Sequence, residues 1–131
     1  MKHIFDSSSI INLCADRRID KLQESGTLSL TLYELGNAIW KQVYHRRSLS
    51  QEEGGRALTA LVKVLKNMRE VSVQDEVAVL NIAIEQGLTY YDASYIQATI
   101  EDNSTLITDD ERLSSAAKRY VKTATSTDIE R

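Results

Sequence analysis

The sequence predicts an α/β fold: a three-layer α/β/α sandwich around a central, mainly parallel sheet of about five strands. Short β-suited runs alternate with longer stretches whose apolar residues recur at three- and four-residue spacing, and no tight hairpin signal interrupts the series. Such alternation implies right-handed crossovers that lay helices on both faces of the sheet. The chain has 131 residues, of which 42% are hydrophobic and 27% charged, a size and balance that suit one domain over residues 1–131. With no Pro and only 5 scattered Gly, no linker divides it.

His3-Ile4-Phe5 is a strand ending at Asp6, and Ser7-Ser8-Ser9 leads into a short helix carrying Ile10, Ile11, Leu13 and Cys14, capped by Ser or Asp. Thr27-Leu28-Ser29-Leu30 is the second strand. Leu32, Leu35, Ile39, Trp40 and Val43 then mark an amphipathic helix ending near His45. Ser50 and Glu53 form a capping-box pattern ahead of a helix that runs to about Lys66. Glu70-Val71-Ser72-Val73 alternates as a third strand. Val77, Leu80 and Ile84 form a stripe closed by Gly87, and Thr89 to Thr99 opens a further helix. Thr105-Leu106-Ile107-Thr108 is the fourth strand, Asp110 to Lys118 a short helix, and Tyr120-Val121-Lys122-Thr123 an edge strand.

Lys plus Arg number 16 and Asp plus Glu 19, giving a formal charge of −3, so no global basic field draws the chain to nucleic acid. A polyanion would have to meet a local basic patch or a bridging metal ion. The single Cys14 forms no intrachain disulfide, which suits a reducing, cytoplasmic setting, and no Cys/His cluster has zinc-site spacing. Asp6 interrupts the N-terminus before any signal-peptide core, and apolar runs fall far short of the ~20 residues of a membrane span. The expectation is therefore a cytoplasmic protein with no membrane association.

In this fold the C-terminal ends of strands and the N-terminal ends of the following helices share one edge, where ligands bind. Asp6 ends the first strand, Glu34 follows the second, Asp92 opens the helix before the fourth, and Asp110 lies just beyond the fourth. Each acid alone is explained by the helix dipole, worth ~0.3–1 kcal/mol. Convergence of four is not, because clustered carboxylates repel unless a cation or shared protons compensate. With no His or Cys among them, the preferred ion is hard: Mg²⁺, with Mn²⁺ as the alternative. Such an ion suits phosphodiester hydrolysis. An aspartyl-phosphatase pair is missing, because Ser8 stands second after Asp6, and there is no GxxxxGK[ST] loop.

Taken in order, Ile4-Phe5-Asp6-Ser7-Ser8, Leu32-Tyr33-Glu34, Tyr91-Asp92-Ala93 and Leu106-Ile107-Thr108-Asp109-Asp110 resemble the acidic motifs of the PIN-domain nucleases, in particular the small VapC-type toxins. The resemblance spans nearly the whole chain. It implies a metal-dependent endoribonuclease in which Asp6, Glu34, Asp92 and Asp110 hold the metal directly or through water, with Ser8 and Thr108 orienting ligands. Thr-x-Asp spacing selects Asp110, leaving Asp109 as a supporting residue or a solvated helix cap. It also implies an RNA substrate, a cognate antitoxin masking the site, and a place in a toxin–antitoxin pair.

Lys41, His45, Arg46 and Arg47 have two readings, contacts to RNA phosphate or complements to a helix C-terminus. Tyr90, Tyr91 and Tyr95 either stack bases or pack, with packing expected for at least two. Trp40 and Tyr44, one turn apart, suit a partner surface and so a homodimer, while Leu35, Ile39 and Val43 suit the core. Cys14 is expected to fill space. The competing functions are a non-catalytic, receiver-like module whose acidic pocket merely holds Mg²⁺, and a PIN-type nuclease of RNA processing. A receiver needs an early acid pair and a late strand-end Lys, neither of which stands in place.

Overall fold

The computed structural model describes residues 2–129. The strands are β1 (His3–Phe5), β2 (Gly26–Thr27), β3 (Arg69–Glu70), β4 (Thr105–Ile107) and β5 (Thr123–Ala124). They form one sheet in the order β3-β2-β1-β4-β5, with every pairing parallel and the central register running Ile4 to Leu106 and Phe5 to Ile107. The helices are α1 (Ser7–Ala15), α2 (Leu30–Trp40), α3 (Gln51–Lys66), α4 (Glu76–Gln86), α5 (Tyr90–Asp102) and α6 (Glu111–Ala117). No helix among the described residues is long and apolar enough to cross a membrane.

The period-2 alternation of the central strands separates the two faces. Ile4 and Leu106 pack with α4, α5 and α6 through Val79, Ile96 and Leu113, whereas Phe5 and Ile107 pack with α1, α2 and α3 through Ile10, Leu35 and Leu61. This is the three-layer sandwich predicted. Helix ends follow the sequence signals: the Ser50–Glu53 box closes in both directions, at 2.9 and 3.0 Å, and Gly87 ends α4 at φ 65°.

Three strands lie elsewhere than expected. β2 ends at Thr27, since Thr27 spends its hydroxyl on the Phe5 carbonyl, and the Leu28 carbonyl already accepts from the Thr31 N–H at 3.0 Å. The apolar Leu28 that suggests a longer strand is buried beyond the sheet, in the α4–α5 layer. β3 stops at Glu70, and Val71 and Val73 pack against the same layer. The N–H groups of Tyr120 and Val121 both bond the Ala117 carbonyl, so the chain is still leaving α6 and β5 begins only at Thr123. Short parallel strands in a two-faced sheet leave little periodicity to read.

α2 reaches as far as expected but changes pitch. Lys41–His45 form a π turn, closed by the Arg46 N–H on the Lys41 carbonyl at 2.9 Å. Trp40 and Tyr44 are exposed and stacked, with ring centroids 5.3 Å apart, and His45 meets both edge-on.

Candidate active site

Strand order reverses between β1 and β4, and in open parallel sheets the crevice beyond such a switch point is where ligands bind. Asp6 leaves β1 there, and Thr108 and Asp110 leave β4. Asp6 is buried, and every partner it has comes from the chain turning into α1 or from β4. Its Oδ1 accepts from the Ser9 N–H at 3.0 Å, from Ser9 Oγ at 2.9 Å and from Ser8 Oγ at 2.8 Å; its Oδ2 accepts from Thr108 Oγ1 at 2.5 Å. Thr108 Oγ1 in turn accepts from the Asp110 N–H at 3.1 Å, so one buried hydroxyl ties the β1 acid to the start of α6.

Helix capping accounts for two of the four acids and not for the others. Asp6 caps α1, and Asp110 caps α6 by accepting from the N–H groups of Arg112 and Leu113 at 2.9 and 3.1 Å. α5, by contrast, is capped by Thr89, and α2 has no side-chain cap. Asp92 and Glu34 therefore stand in the site without a capping duty.

Glu34 is held from a distance. Its Oε1 lies 2.5 Å from the Tyr95 hydroxyl, which lies 2.6 Å from Thr31 Oγ1, which lies 2.7 Å from Thr27 Oγ1, and Thr27 donates to the Phe5 carbonyl at 2.7 Å. Tyr95 donates to Glu34 and Thr27 to the Phe5 carbonyl, so the single Thr31 hydrogen is shared between its two neighbours and three hydroxyl hydrogens span four contacts. Burial pushes the Glu34 carboxyl up; the Tyr95 hydrogen bond opposes it, and Asp92 and Asp6 add to it. Replacing Tyr95 by Phe strips Thr31 and Glu34 of a shared partner, and urea unfolding should show a loss of about 1–3 kcal/mol; an unchanged midpoint would mean that the row carries no stability.

Burial likewise raises Asp6, against the hydrogen bonds from Thr108, Ser9 and Ser8 that pull it back. Asp92 is raised first by burial and then by Asp110 and Asp6, while Arg112 draws it down. All four acids are thus joined electrostatically. As they stand they are not a finished ligand cage: among the described residues, no group of three or more His, Cys, Asp or Glu is set to hold a metal ion. Asp6, Glu34 and Asp110 each accept hydrogen bonds from a neighbour instead. The chemistry of the donors still fits a hard cation, since the four acids offer oxygen ligands and Arg112 is the one cation among the groups that shift Asp6, Glu34 and Asp92.

Other expectations resolve in place. Ser8 and Thr108 do hold Asp6. The carboxylate of Asp109 turns away, to the Asn12 side-chain amide at 2.6 Å and the Ser126 N–H at 2.8 Å. Asp109 is therefore not a helix cap; that duty belongs to Asp110, the next residue, because only there does the chain turn into α6. Of the three α5 tyrosines only Tyr95 is buried, not two as expected; Tyr90 and Tyr91 are exposed because they open the helix at its rim. Cys14 is half-buried and its thiol is pushed up by burial, as a space-filling residue requires. Ser9 and Tyr95 were not legible as site residues, although Ser9 stands at the capping distance from Asp6.

The family model described as PIN domain matches residues 3–119. The chain belongs to the PIN-domain family. Among curated proteins, this PIN domain is 32% identical to Exonuclease VapC9 of Pyrobaculum aerophilum over 127 residues, covering 95% of this chain and 92% of that protein. It is 30% identical to Ribonuclease VapC3 of the same organism over 122 residues, 86% of this chain and 92% of that one. Among solved structures, the crystal structure of PAE2754 from Pyrobaculum aerophilum matches with a TM-score of 0.82 at 30% identity, over 97% of this chain and 92% of the other. VapBC-1 from nontypeable Haemophilus influenzae matches at 0.63 and 19% identity, covering 97% and 99% of the two chains, and shares the fold.

Proposed function

We propose that this PIN domain is a divalent-metal-dependent endoribonuclease, the toxin of a VapBC-type pair. The observation that carries the proposal is the carboxylate set at the switch point, where burial raises Asp6, Glu34 and Asp92 and the charges of neighbouring acids add to the rise in Glu34 and Asp92. Both curated relatives are named as nucleases, one an exonuclease and one a ribonuclease. Asp6, Glu34, Asp92 and Asp110 would hold Mg²⁺ or Mn²⁺, directly or through water. Bound there, the ion supplies charge stabilisation at the phosphate oxygens and a more acidic water.

The chain's own residues do the positioning. Ser8, Ser9 and Thr108 fix the Asp6 carboxylate and Tyr95 fixes Glu34, so these acids are held at the crevice where they would face a cation. Asp92 is held by a hydrogen bond with Thr89 and would need to turn only from that one partner to reach a cation. Asp109, bonded to Asn12 and Ser126, supports the loop that presents Asp110. A cognate antitoxin and a homodimer, the latter through the exposed Trp40–Tyr44 stack, complete the proposal, together with a cytoplasmic location.

The test is incubation of purified protein with end-labelled single-stranded RNA in Mg²⁺. Internal products at early times support an endonuclease; mononucleotides from the outset would replace it with an exonuclease, and intact RNA would leave the receiver-like alternative.

A further inference from the structure

Beside the carboxylates runs an open groove of about 770 Å³ along α2 and the π turn, touching Glu34 alone of the four acids. Its lining combines Tyr33, Asn37, Lys41 and Arg46 of that helix with Tyr91 of α5. The presence of Arg46 is a consequence of the π turn. In an unbroken α-helix the residues one turn beyond Lys41 are Tyr44 and His45. The extra residue instead places Arg46 under Lys41, where its N–H meets the Lys41 carbonyl, and swings His45 away into the Trp40–Tyr44 stack. Two cations thus stand on one wall, and neither side chain has an ion-pair or hydrogen-bond partner among the described residues. Tyr33 and Tyr91 are 73% and 61% exposed, with hydroxyls bonded to nothing described. Completion of the helix dipole accounts for cations at this end but not for exposed rings beside them.

We propose that this groove is the track along which single-stranded RNA enters the carboxylate site, with Lys41 and Arg46 contacting backbone phosphates and Tyr33 and Tyr91 stacking on bases. The proposal rests on the nuclease assignment for its direction of travel, but the binding itself stands on charge complementarity and continuity with Glu34. Unpaired cations suit phosphates, and exposed rings suit the faces of unstacked bases. The opposite sign of charge at the carboxylates then makes the groove, rather than the site, the source of affinity.

The experiment measures binding of a fluorescent single-stranded oligoribonucleotide to metal-free protein in chelator, where RNA is not consumed, across a salt series. Lys41→Gln with Arg46→Gln should weaken binding about tenfold at low salt and reduce the log–log salt slope by roughly 1.4, the share of two phosphate contacts on a single strand. Tyr91→Ala should weaken it about tenfold with the slope unchanged. Lys63→Gln with Lys122→Gln, removing two exposed charges elsewhere, should leave both quantities near wild type, and Lys41→Arg should retain binding.

Equal losses in the two double variants, or an unaltered slope in the groove variant, would overturn the proposal. So would polyglutamate competing as well as RNA, which would mark the groove as a seat for acidic polypeptide. A change in melting temperature without a change in binding would leave only the dipole role. Cleavage in Mg²⁺ is scored separately: RNA bound through the groove but never cut refutes the nuclease assignment and spares the groove.

Discussion

Asp92→Asn and Asp6→Asn should each lower RNA cleavage by about 100-fold or more while far-ultraviolet circular dichroism stays native. The side chains keep their volume, but each loses the charge through which a carboxylate would hold a divalent ion, and with it the ion's stabilisation of charge on the phosphate oxygens. Asp92→Asn is the cleaner of the two, because the Thr89 hydroxyl caps α5 through the Asp92 N–H, and the one Thr89 side-chain hydrogen bond to the Asp92 carboxyl can also be accepted by an amide oxygen. Asp6→Asn brings an amide NH₂ against Thr108 and Ser8, whose hydroxyls must turn to accept, so a modest drop in stability should accompany it. Initial rates on labelled RNA check this, and wild-type rates in both variants would exclude the carboxylates from the chemistry.

Metal-free Asp92→Asn should be more stable, not less, than metal-free wild type, because Asp110 and Asp6 repel the charge it removes. Asp92 is half-exposed, so solvent screening keeps the gain small, up to about 1 kcal/mol, or roughly 3 °C in melting temperature. The pH dependence has a definite sign. Asp6, Glu34 and Asp92 have raised folded-state values, so the native state takes up protons before the unfolded chain does. Lowering the pH from 7 should therefore raise the melting temperature as it passes through those raised values, with the gain complete below the ordinary range of about 4. Asp102 and Glu101 act oppositely, their hydrogen-bonded carboxyls lying low, so their contribution is lost only in stronger acid. Stability should therefore pass through a maximum on the acid side of neutrality, with a smaller rise in Asp92→Asn. Mg²⁺ at pH 7 should stabilise wild type more than the variant, by binding the native state preferentially. A metal-free variant less stable than wild type, with the same response to Mg²⁺, would favour dipole complementation alone.

What the sequence made legible follows from which interactions are local. Asp6 and Asp110 each stand at a strand-to-helix turn, so the acid and its cap are written within a few residues, and their places could be read directly. By contrast, the Tyr95 contact to Glu34 joins residues on α5 and α2 that meet only when both helices pack on β1 and β2, and nothing near Tyr95 distinguishes it from Tyr90 or Tyr91. Asp109 and Asp110 are adjacent, yet one faces Asn12 and the other caps α6, a division set by the turn itself. The π turn at Lys41–His45 left no mark in the apolar spacing, because Lys41, Tyr44 and His45 are exposed and Val43 is the one aliphatic residue in it.

The central claim is that these acids form one cation site. Titration of metal-free protein with Mn²⁺, followed by calorimetry and by the electron paramagnetic resonance signal of free Mn²⁺, addresses it without reference to any substrate. Saturable binding to wild type, weakened at least about tenfold in both Asp92→Asn and Asp6→Asn and competed by Mg²⁺, is the result expected of a shared carboxylate site. No saturable binding to wild type, or the same affinity in both variants, would contradict it.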